Sequence, residues 1–369
     1  MAVKTRVRSK LAEIRSNRGV SASEIAKRVG VTRQTIYAIE AGNYVPNTEV
    51  ALRLARELEV SVEELFALDQ RRDQGVASMP AEFLSSAKAA KGQAVRLGQV
   101  GARWVSVPVS ASPYFLPEAD AILTGPDRVA VFPSDGSTKK RIVLAGCDPA
   151  TSLLASMVER AADIEIVHAP ASSELALRWL KEEKVHIAGS HLEDPKTSEF
   201  NLPFVQRNFG AEEIGVVTFA QWEEGFVVAR GNPKHIRTVG DLERKNVWFM
   251  NRQSGSGSRL LLDRVLREAG ISARRVQGYS RVAAGHLAAA YAIVSGDADC
   301  CLATRSAARA FGLGFVPLHS ERYDFVFRRS TLDSPAVQTF MDVLQRASLR
   351  RKLETLAGYD TSKTGTRIV

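Results

Sequence analysis

The chain has 369 residues, 45% of them hydrophobic and 25% charged, with a formal net charge of +9. That length suggests two or three domains, and that composition excludes a fibre, a wholly disordered chain and a multi-span membrane protein. The charge is unevenly placed: residues 1–35 hold nine Lys/Arg and two acids, a net +7, which leaves +2 for the other 334 residues. The basic excess therefore describes the head of the chain and points to a polyanionic partner there.

The basic stretch Met1–Lys10 runs into Leu11-Ala12-Glu13-Ile14-Arg15 rather than the apolar core of a signal peptide. No segment reaches the roughly 18 apolar residues of a membrane span. The longest apolar run, Leu287–Val294, reads as a helix buried in a core. Cys147, Cys300 and Cys301 are odd in number and lack CxxC spacing, which gives neither a disulfide framework nor a zinc site. The expectation is a reduced, cytoplasmic protein with no membrane partner, whose three cysteines serve as small buried hydrophobes.

In chain order, Val7, Leu11, Ile14 and Arg15 mark one helical face, ending at Gly19. Ser21-Ala22-Ser23-Glu24 is a capping box opening a helix with Ile25, Ala26 and Val29 inward. Gly30 supplies a tight turn, and Thr32 caps a third helix with Ile36 and Ile39 inward and Arg33, Gln34, Thr35 and Tyr37 outward. A fourth helix spans about 48–58, and Ser61-Val62-Glu63-Glu64 is a second capping box. Five short helices thus form a bundle over residues 1–69.

These residues carry a resemblance. Leu11-x-x-Ile14-Arg15, Gly19-x-Ser21-x-x-Glu24-Ile25-Ala26, Gly30-Val31-Thr32-x-x-x-Ile36-x-x-Ile39-Glu40-x-Gly42 and Leu54-Ala55-x-x-Leu58 closely resemble the Cro/C1 (XRE) helix-turn-helix family. The resemblance implies double-stranded DNA as partner, with the third helix in the major groove and Arg33, Gln34 and Thr35 at the bases. Thr32, Tyr37, Lys10, Arg18 and Lys27 complete the expected DNA-binding set. The chemistry agrees: Arg bridges guanine O6/N7, and Gln bridges adenine N6/N7. The resemblance also pairs Arg15 with Glu40. Where many members carry a phosphate-binding Gln, this chain has Ala22.

Residues 70–93 read as a linker rich in Ala, Ser, Lys and Gln. Residues 94–139 form a small β-rich segment, with strand patterns at Ala94–Val100, Trp104–Val109, Asp120–Leu123 and Arg128–Phe132. Ser134–Thr138 looks like a hinge. From 140 to 369, strands alternate with helices: Arg141–Asp148, a helix starting with Pro149 at its first position, Ile164–Val167, Ser173–Glu182 and Val185–Gly189. A further unit runs from strand Asn246–Met250 through a Gly/Ser loop, 251–259, into helix Leu260–Glu268. Its small residues let backbone approach a ligand, and the helix start favours an anion. It is neither a Walker A motif nor G-x-G-x-x-G, so no nucleotide or other cofactor is expected.

Gly146-Cys147-Asp148-Pro149, Gly189-Ser190-His191-Leu192, the Gly/Ser loop and Glu321-Arg322-Tyr323-Asp324 resemble the periplasmic-binding-protein-like domain of helix-turn-helix regulators, related to molybdate-binding proteins. The expected fold class is therefore multidomain: an all-α helix-turn-helix bundle, a small β element, and a two-lobed α/β (type II) domain. The lobes fall near 141–222 plus the C-terminal return, and near 223–318. Cleft candidates are Asp148, Thr151, Ser152, Ser190, His191, Arg252, Ser254, Gly255, Ser256, Gly257 and Ser258. Asp148 also reads as a helix cap, and His191 and His286 as hydrogen-bonded structural residues. No His/carboxylate spacing marks a metal, and no G-x-S-x-G or H-E-x-x-H marks an enzyme. The functional expectation is a one-component, dimeric transcription regulator sensing a small ligand, an oxyanion such as molybdate or tungstate. The alternatives are a sensor of an organic metabolite such as a pterin, with Trp222, Trp248 and Tyr279 as stacking candidates, or a DNA-tethered enzyme.

Overall fold

A computed structural model describes residues 6–69, 77–109, 117–132, 139–210 and 213–369. The Ser134–Thr138 hinge and residues 70–76 of the expected linker lie outside them. The chain divides into two compact units, Met1–Gly75 and Val76–Val369.

The first unit contains α1 (Leu11–Asn17), α2 (Ala22–Val29), α3 (Arg33–Glu40), α4 (Thr48–Glu57) and α5 (Val62–Leu65). Each boundary has a local cause. Ser21 accepts a hydrogen bond from the Glu24 N–H at 3.1 Å, Thr32 from that of Thr35 at 3.1 Å, and Asn47 from that of Val50 at 2.9 Å. Gly30 ends α2 at φ 81°, a left-handed conformation that any side chain would strain. Ser61 and Glu64 complete a reciprocal capping box. Ser21 and Glu24 form half of one, because the Glu24 carboxylate pairs with Arg28 instead. Leu11, Ile25, Ile36, Ile39, Leu54 and Leu65 meet in the core. Val7, expected on the first helix, lies in a strand: Arg6–Ser9 pairs antiparallel with Phe66–Asp69 and ties the unit's two ends together.

The second unit is built on two 15-residue antiparallel strands, Ile214–Val228 and Gly314–Arg328. Their lower halves, Ile214–Trp222 with Glu321–Arg328, belong to lobe one. There the parallel strands Ile164–Pro170, Lys140–Gly146 and Ile187–Ser190 extend the sheet. Their upper halves belong to lobe two, joined by Cys300–Thr304, Phe249–Arg252 and Val282–Ala283. Register shifts between Thr218 and Ala220 and between Glu224 and Gly225 break the ladder where the chain crosses between lobes. After helices Pro335–Leu344 and Ala347–Thr355 pack on lobe one, the C-terminus returns along Val216–Trp222.

Three expectations shift. The helix after Gly146 starts at Thr151, so Pro149 precedes it and Asp148 is not its N-cap. The strand expected at 246–250 occupies Phe249–Arg252, and the following helix starts early, at Gly257 with Ser256 as cap. The apolar run near 290 forms helix His286–Val294, but Leu287, Tyr291 and Val294 are exposed.

Part of the expected linker is structured. Ala77–Pro80 and Glu82–Phe83 are the two edge strands of a six-stranded sheet completed by 94–100, 103–108, 121–125 and 128–131. This sheet packs on lobe one, where Val105 and Val107 share a core with Val143 and Ala188. Gly98 permits the approach, since a Cβ there would lie 2.2 Å from Val143 Cγ2. An ionic knot fixes it: Asp120 receives a fork of two 2.9 Å hydrogen bonds from Arg141, and Arg96 bonds Asp120 at 3.0 Å.

Candidate functional site

In the first unit, α3 presents Thr32, Arg33, Gln34 and Tyr37 outward, with Thr35 half-buried. The Arg33 guanidinium lies 5.2 Å from the centre of the Tyr37 ring and donates to its hydroxyl at 2.7 Å. The pair holds an extended cation on the exposed face of α3. Arg15 is structural: it binds Glu40 at 2.6 Å and the Val20 carbonyl at 2.8 Å. Lys10 and Lys27 are exposed. Arg18 is bonded to Glu59 at 3.1 Å, so this expected phosphate contact has an internal partner.

In the second unit, polar residues gather where the two long strands cross between lobes. Buried here are Asp148, Thr151, Ser190, His191, Glu224, Arg252, Ser258, His286 and Glu321. His191 is central. Its Nδ1 lies 2.6 Å from Glu321 Oε2, and its Nε2 lies 3.3 Å from Cys147 Sγ. His286 Nε2 lies 3.7 Å from the same sulfur. A cavity of about 250 Å³ opens beside Cys147, Asp148, Gln253 and His286, and another of about 300 Å³ lies beside His191, Glu193, Gly257 and Arg264. Each cavity takes walls from both lobes.

Several of these groups have no hydrogen-bond partner among the described residues, which is costly for buried polar atoms. They include Asp148 Oδ2, Thr151 Oγ1, Ser190 Oγ, both Glu224 oxygens, Arg252 Nε and Nη2, and His286 Nδ1. Among the described residues, the Arg252 guanidinium bonds Ser258 Oγ at 3.3 Å. Burial raises Glu224 to about 8, with the Glu321 charge adding to it. Burial also raises Glu321 to about 7. Asp148 rises to about 7 by burial, against bonds from the Ala150 N–H at 2.6 Å and the Tyr359 hydroxyl at 2.9 Å. His286 is pushed down by burial, then by Arg252. The cluster is two-sided: Arg252 suits an anion, whereas the Glu–His–Cys side suits a cation.

The expected residues divide. Thr151, Ser190, His191, Arg252 and Ser258 are buried with Asp148 around the crossing, and Arg252 ends a strand instead of sitting in a loop. Ser254 and Ser152 are exposed; Ser152 bonds the Pro149 carbonyl at 3.2 Å and borders the smaller cavity. Ser256 is occupied as a helix cap. Gly255 and Gly257 serve the other lobe: a Cβ would lie 2.6 Å from Glu174 Oε2 and 2.4 Å from His191 Nδ1 respectively. Cys147, read as a buried hydrophobe, is only half-buried and faces two imidazoles, whereas Cys300 and Cys301 are buried as expected. Of the stacking candidates, Trp222 is enclosed by His191, His286, Tyr323 and Tyr359, Trp248 is exposed, and Tyr279 lies under Arg259. Glu224 lies outside the expected set; its signal in the sequence is an acid in line with Ala220, Trp222, Phe226 and Val228, alternate positions of one strand that are otherwise apolar.

The arrangement defines a two-lobed ligand-binding fold joined to a helix-turn-helix DNA-binding domain. Residues 155–345, more than half the chain, match the family model described as a PBP superfamily domain, and residues 9–71 match a helix-turn-helix domain. The chain therefore belongs to the PBP superfamily and carries an XRE-type helix-turn-helix at its N-terminus. It is 30% identical to the Bacillus subtilis (strain 168) protein YvgK over 240 residues, 65% of this chain and 77% of that one. A Methanothermobacter thermautotrophicus HTH-type transcriptional regulator is 45% identical over 65 residues, 17% of this chain and 94% of that protein. Among solved structures, the sulfate-binding protein SubI from Mycobacterium tuberculosis aligns over 60% of this chain and 86% of its own, at 17% identity and TM-score 0.45. No helix among the described residues is long and apolar enough to cross a membrane.

Proposed function

We propose that this protein is a cytoplasmic one-component transcription regulator. In this reading a dimer binds a two-fold DNA operator, with Arg33, Gln34 and Thr35 at the bases. A small oxyanion of the molybdate or tungstate type binds between the lobes and tunes operator affinity. The observation that carries the ligand reading is Arg252, fully buried with Nε and Nη2 unpartnered. A buried guanidinium with open donors is stabilised by an anion that accepts them. The unpaired hydroxyls of Thr151 and Ser190 and the start of the 12-residue helix Gly257–Glu268 add further support.

Ligand tunes operator affinity only through its differential affinity for two arrangements of the protein, and the coupling is reciprocal. The test uses the full chain. An operator is first selected from random DNA. Calorimetry with molybdate, tungstate, sulfate and phosphate follows, and operator affinity is remeasured with each. Heat of binding from at least one anion that also shifts operator affinity is the expected result. Silence from all four, with unchanged operator affinity, sinks the oxyanion reading. Turnover in a screen of organic metabolites would point to an enzyme instead.

A further inference from the structure

We propose that Cys147, His191 and His286 form a binding site for a zinc-class metal ion in the cleft between the lobes. This goes beyond the anion reading, which rests on Arg252.

The first argument is geometric. Tetrahedral coordination with a metal–sulfur bond of about 2.3 Å and a metal–nitrogen bond of about 2.0 Å places sulfur and nitrogen about 3.6 Å apart. Cys147 Sγ lies 3.3 Å from His191 Nε2 and 3.7 Å from His286 Nε2, on either side of that value. The three donor atoms all lie within 4.8 Å of one another. A hydrogen-bonded thiol is the competing account: its S–H can donate to one imidazole while the sulfur accepts from the N–H of the other. Metal titration separates the two.

The second argument concerns the atoms behind the ligands. His191 Nδ1 lies 2.6 Å from Glu321 Oε2, which also accepts from the Trp222 indole N–H at 3.3 Å. In the tautomer with the proton on Nδ1, the Nε2 lone pair faces the sulfur, the usual carboxylate support of a metal-binding histidine. Behind His286, Nδ1 is unpartnered and lies 4.0 Å from Glu224 Oε1, itself unpartnered and fully buried. Three buried carboxyl groups, those of Asp148, Glu224 and Glu321, lie on this half of the cleft.

The third argument is access. Cys147 and His286 border the 250 Å³ cavity, which provides an entry path and room for a fourth ligand. A thiolate with two imidazoles selects zinc, cobalt or copper over magnesium or calcium. Binding releases the thiol proton to solvent: the S–H bond breaks, a sulfur–metal bond forms, and no electron is transferred.

The test uses chelator-stripped full-length protein and Co²⁺ as the probe. A thiolate-to-cobalt charge-transfer band saturating at one equivalent, and bleached by Zn²⁺, is the expected result. Cys147→Ser removes the band. His286→Gln weakens binding at least tenfold, and Glu321→Gln about tenfold, as outer-shell changes do. Thermal melting checks that each variant folds, and Arg33→Ala is the control that leaves the band unchanged. Because Cys300 and Cys301 are buried, alkylation reports on Cys147, and Zn²⁺ slows it at least tenfold. Absence of the band, or a band of equal strength in Cys147→Ser, overturns the proposal. So does a thiol alkylated equally fast with and without Zn²⁺, which would mark a nucleophile oriented by His191 and Glu321. Calorimetry with molybdate on both proteins keeps the two readings apart: heat from Cys147→Ser, which lacks the cobalt band, isolates the anion site, and a cobalt band in the wild type without molybdate heat isolates the metal site.

Discussion

Gly257 of lobe two stands against His191 of lobe one so closely that a Cβ on the glycine would lie 2.4 Å from the imidazole Nδ1. Gly255 makes a similar approach to Glu174, whose N–H donates to the Gly255 carbonyl at 3.1 Å. The Gly/Ser segment is therefore a closing surface between lobes. Gly257→Ala forces this approach apart, an overpacking of about 1–3 kcal/mol. The expected outcome is a larger radius of gyration for the second unit in X-ray scattering and weaker ligand binding, with thermal stability of the first unit unchanged. An unaltered scattering profile would show that the approach is not needed for closure.

Arg252→Met separates stability from binding. The wild-type guanidinium is buried with two unpartnered nitrogens, so an apolar replacement of similar length stabilises the ligand-free protein by about 1–3 kcal/mol. The same change abolishes stabilisation by the oxyanion. A melting series with and without molybdate or tungstate measures both, and a less stable ligand-free variant contradicts the prediction.

In the first unit, Arg33→Ala and Gln34→Ala each relax base preference by about 1–3 kcal/mol, the worth of one bidentate side chain–base pairing. Melting is unaffected, because both side chains are exposed. Arg15→Ala does the reverse. Its bonds to Glu40 and to the Val20 carbonyl hold α1 and α3 together, so it lowers stability by about 1–3 kcal/mol without changing which bases are preferred. Selection from random DNA beside thermal melting distinguishes the two classes.

Asp120 gives a pH test of the β element. Burial acts to raise its pKa. The Arg141 fork, the Leu97 N–H at 2.7 Å and Arg96 outweigh burial and hold the carboxyl below its usual value. A carboxyl with a depressed folded-state pKa contributes stability above its unfolded value, near 3.8, and loses it as pH falls through the folded value. Wild type is therefore more stable than Asp120→Asn by about 1–3 kcal/mol at neutral pH. The gap closes below about pH 4. A gap that persists in acid assigns the effect to packing.

The helix-turn-helix was legible in the sequence because its determinants are local: Ser21, Thr32 and Ser61 sit at fixed spacing from the N–H groups they cap, and Gly30 marks its own turn. The alternation of strands and helices after residue 140 was legible for the same reason. What escaped depends on distant pairing. Ala77–Pro80 is an edge strand without period-two hydrophobic patterning, so only its pairing with Arg128–Val131 reveals it. Cys147 and His286 are 139 residues apart, beyond any spacing rule. Ser152 and Ser254 stand near helix starts in the sequence, but only the backbone path shows both to be exposed, with Ser152 at the rim of the smaller cavity.

The two long strands also decide how a message can leave the cleft. Lobe two is an insertion: the chain enters it along Ile214–Val228 and leaves it along Gly314–Arg328. The β element is riveted to lobe one through Arg141 and Asp120, and the C-terminus closes on lobe one along Val216–Trp222. Lobe two thus owns neither end of the chain and behaves as a cul-de-sac. In the proposed sensor, a ligand held from both sides would be felt by the rest of the chain only through lobe one, which would make that lobe the stator against which the other half moves.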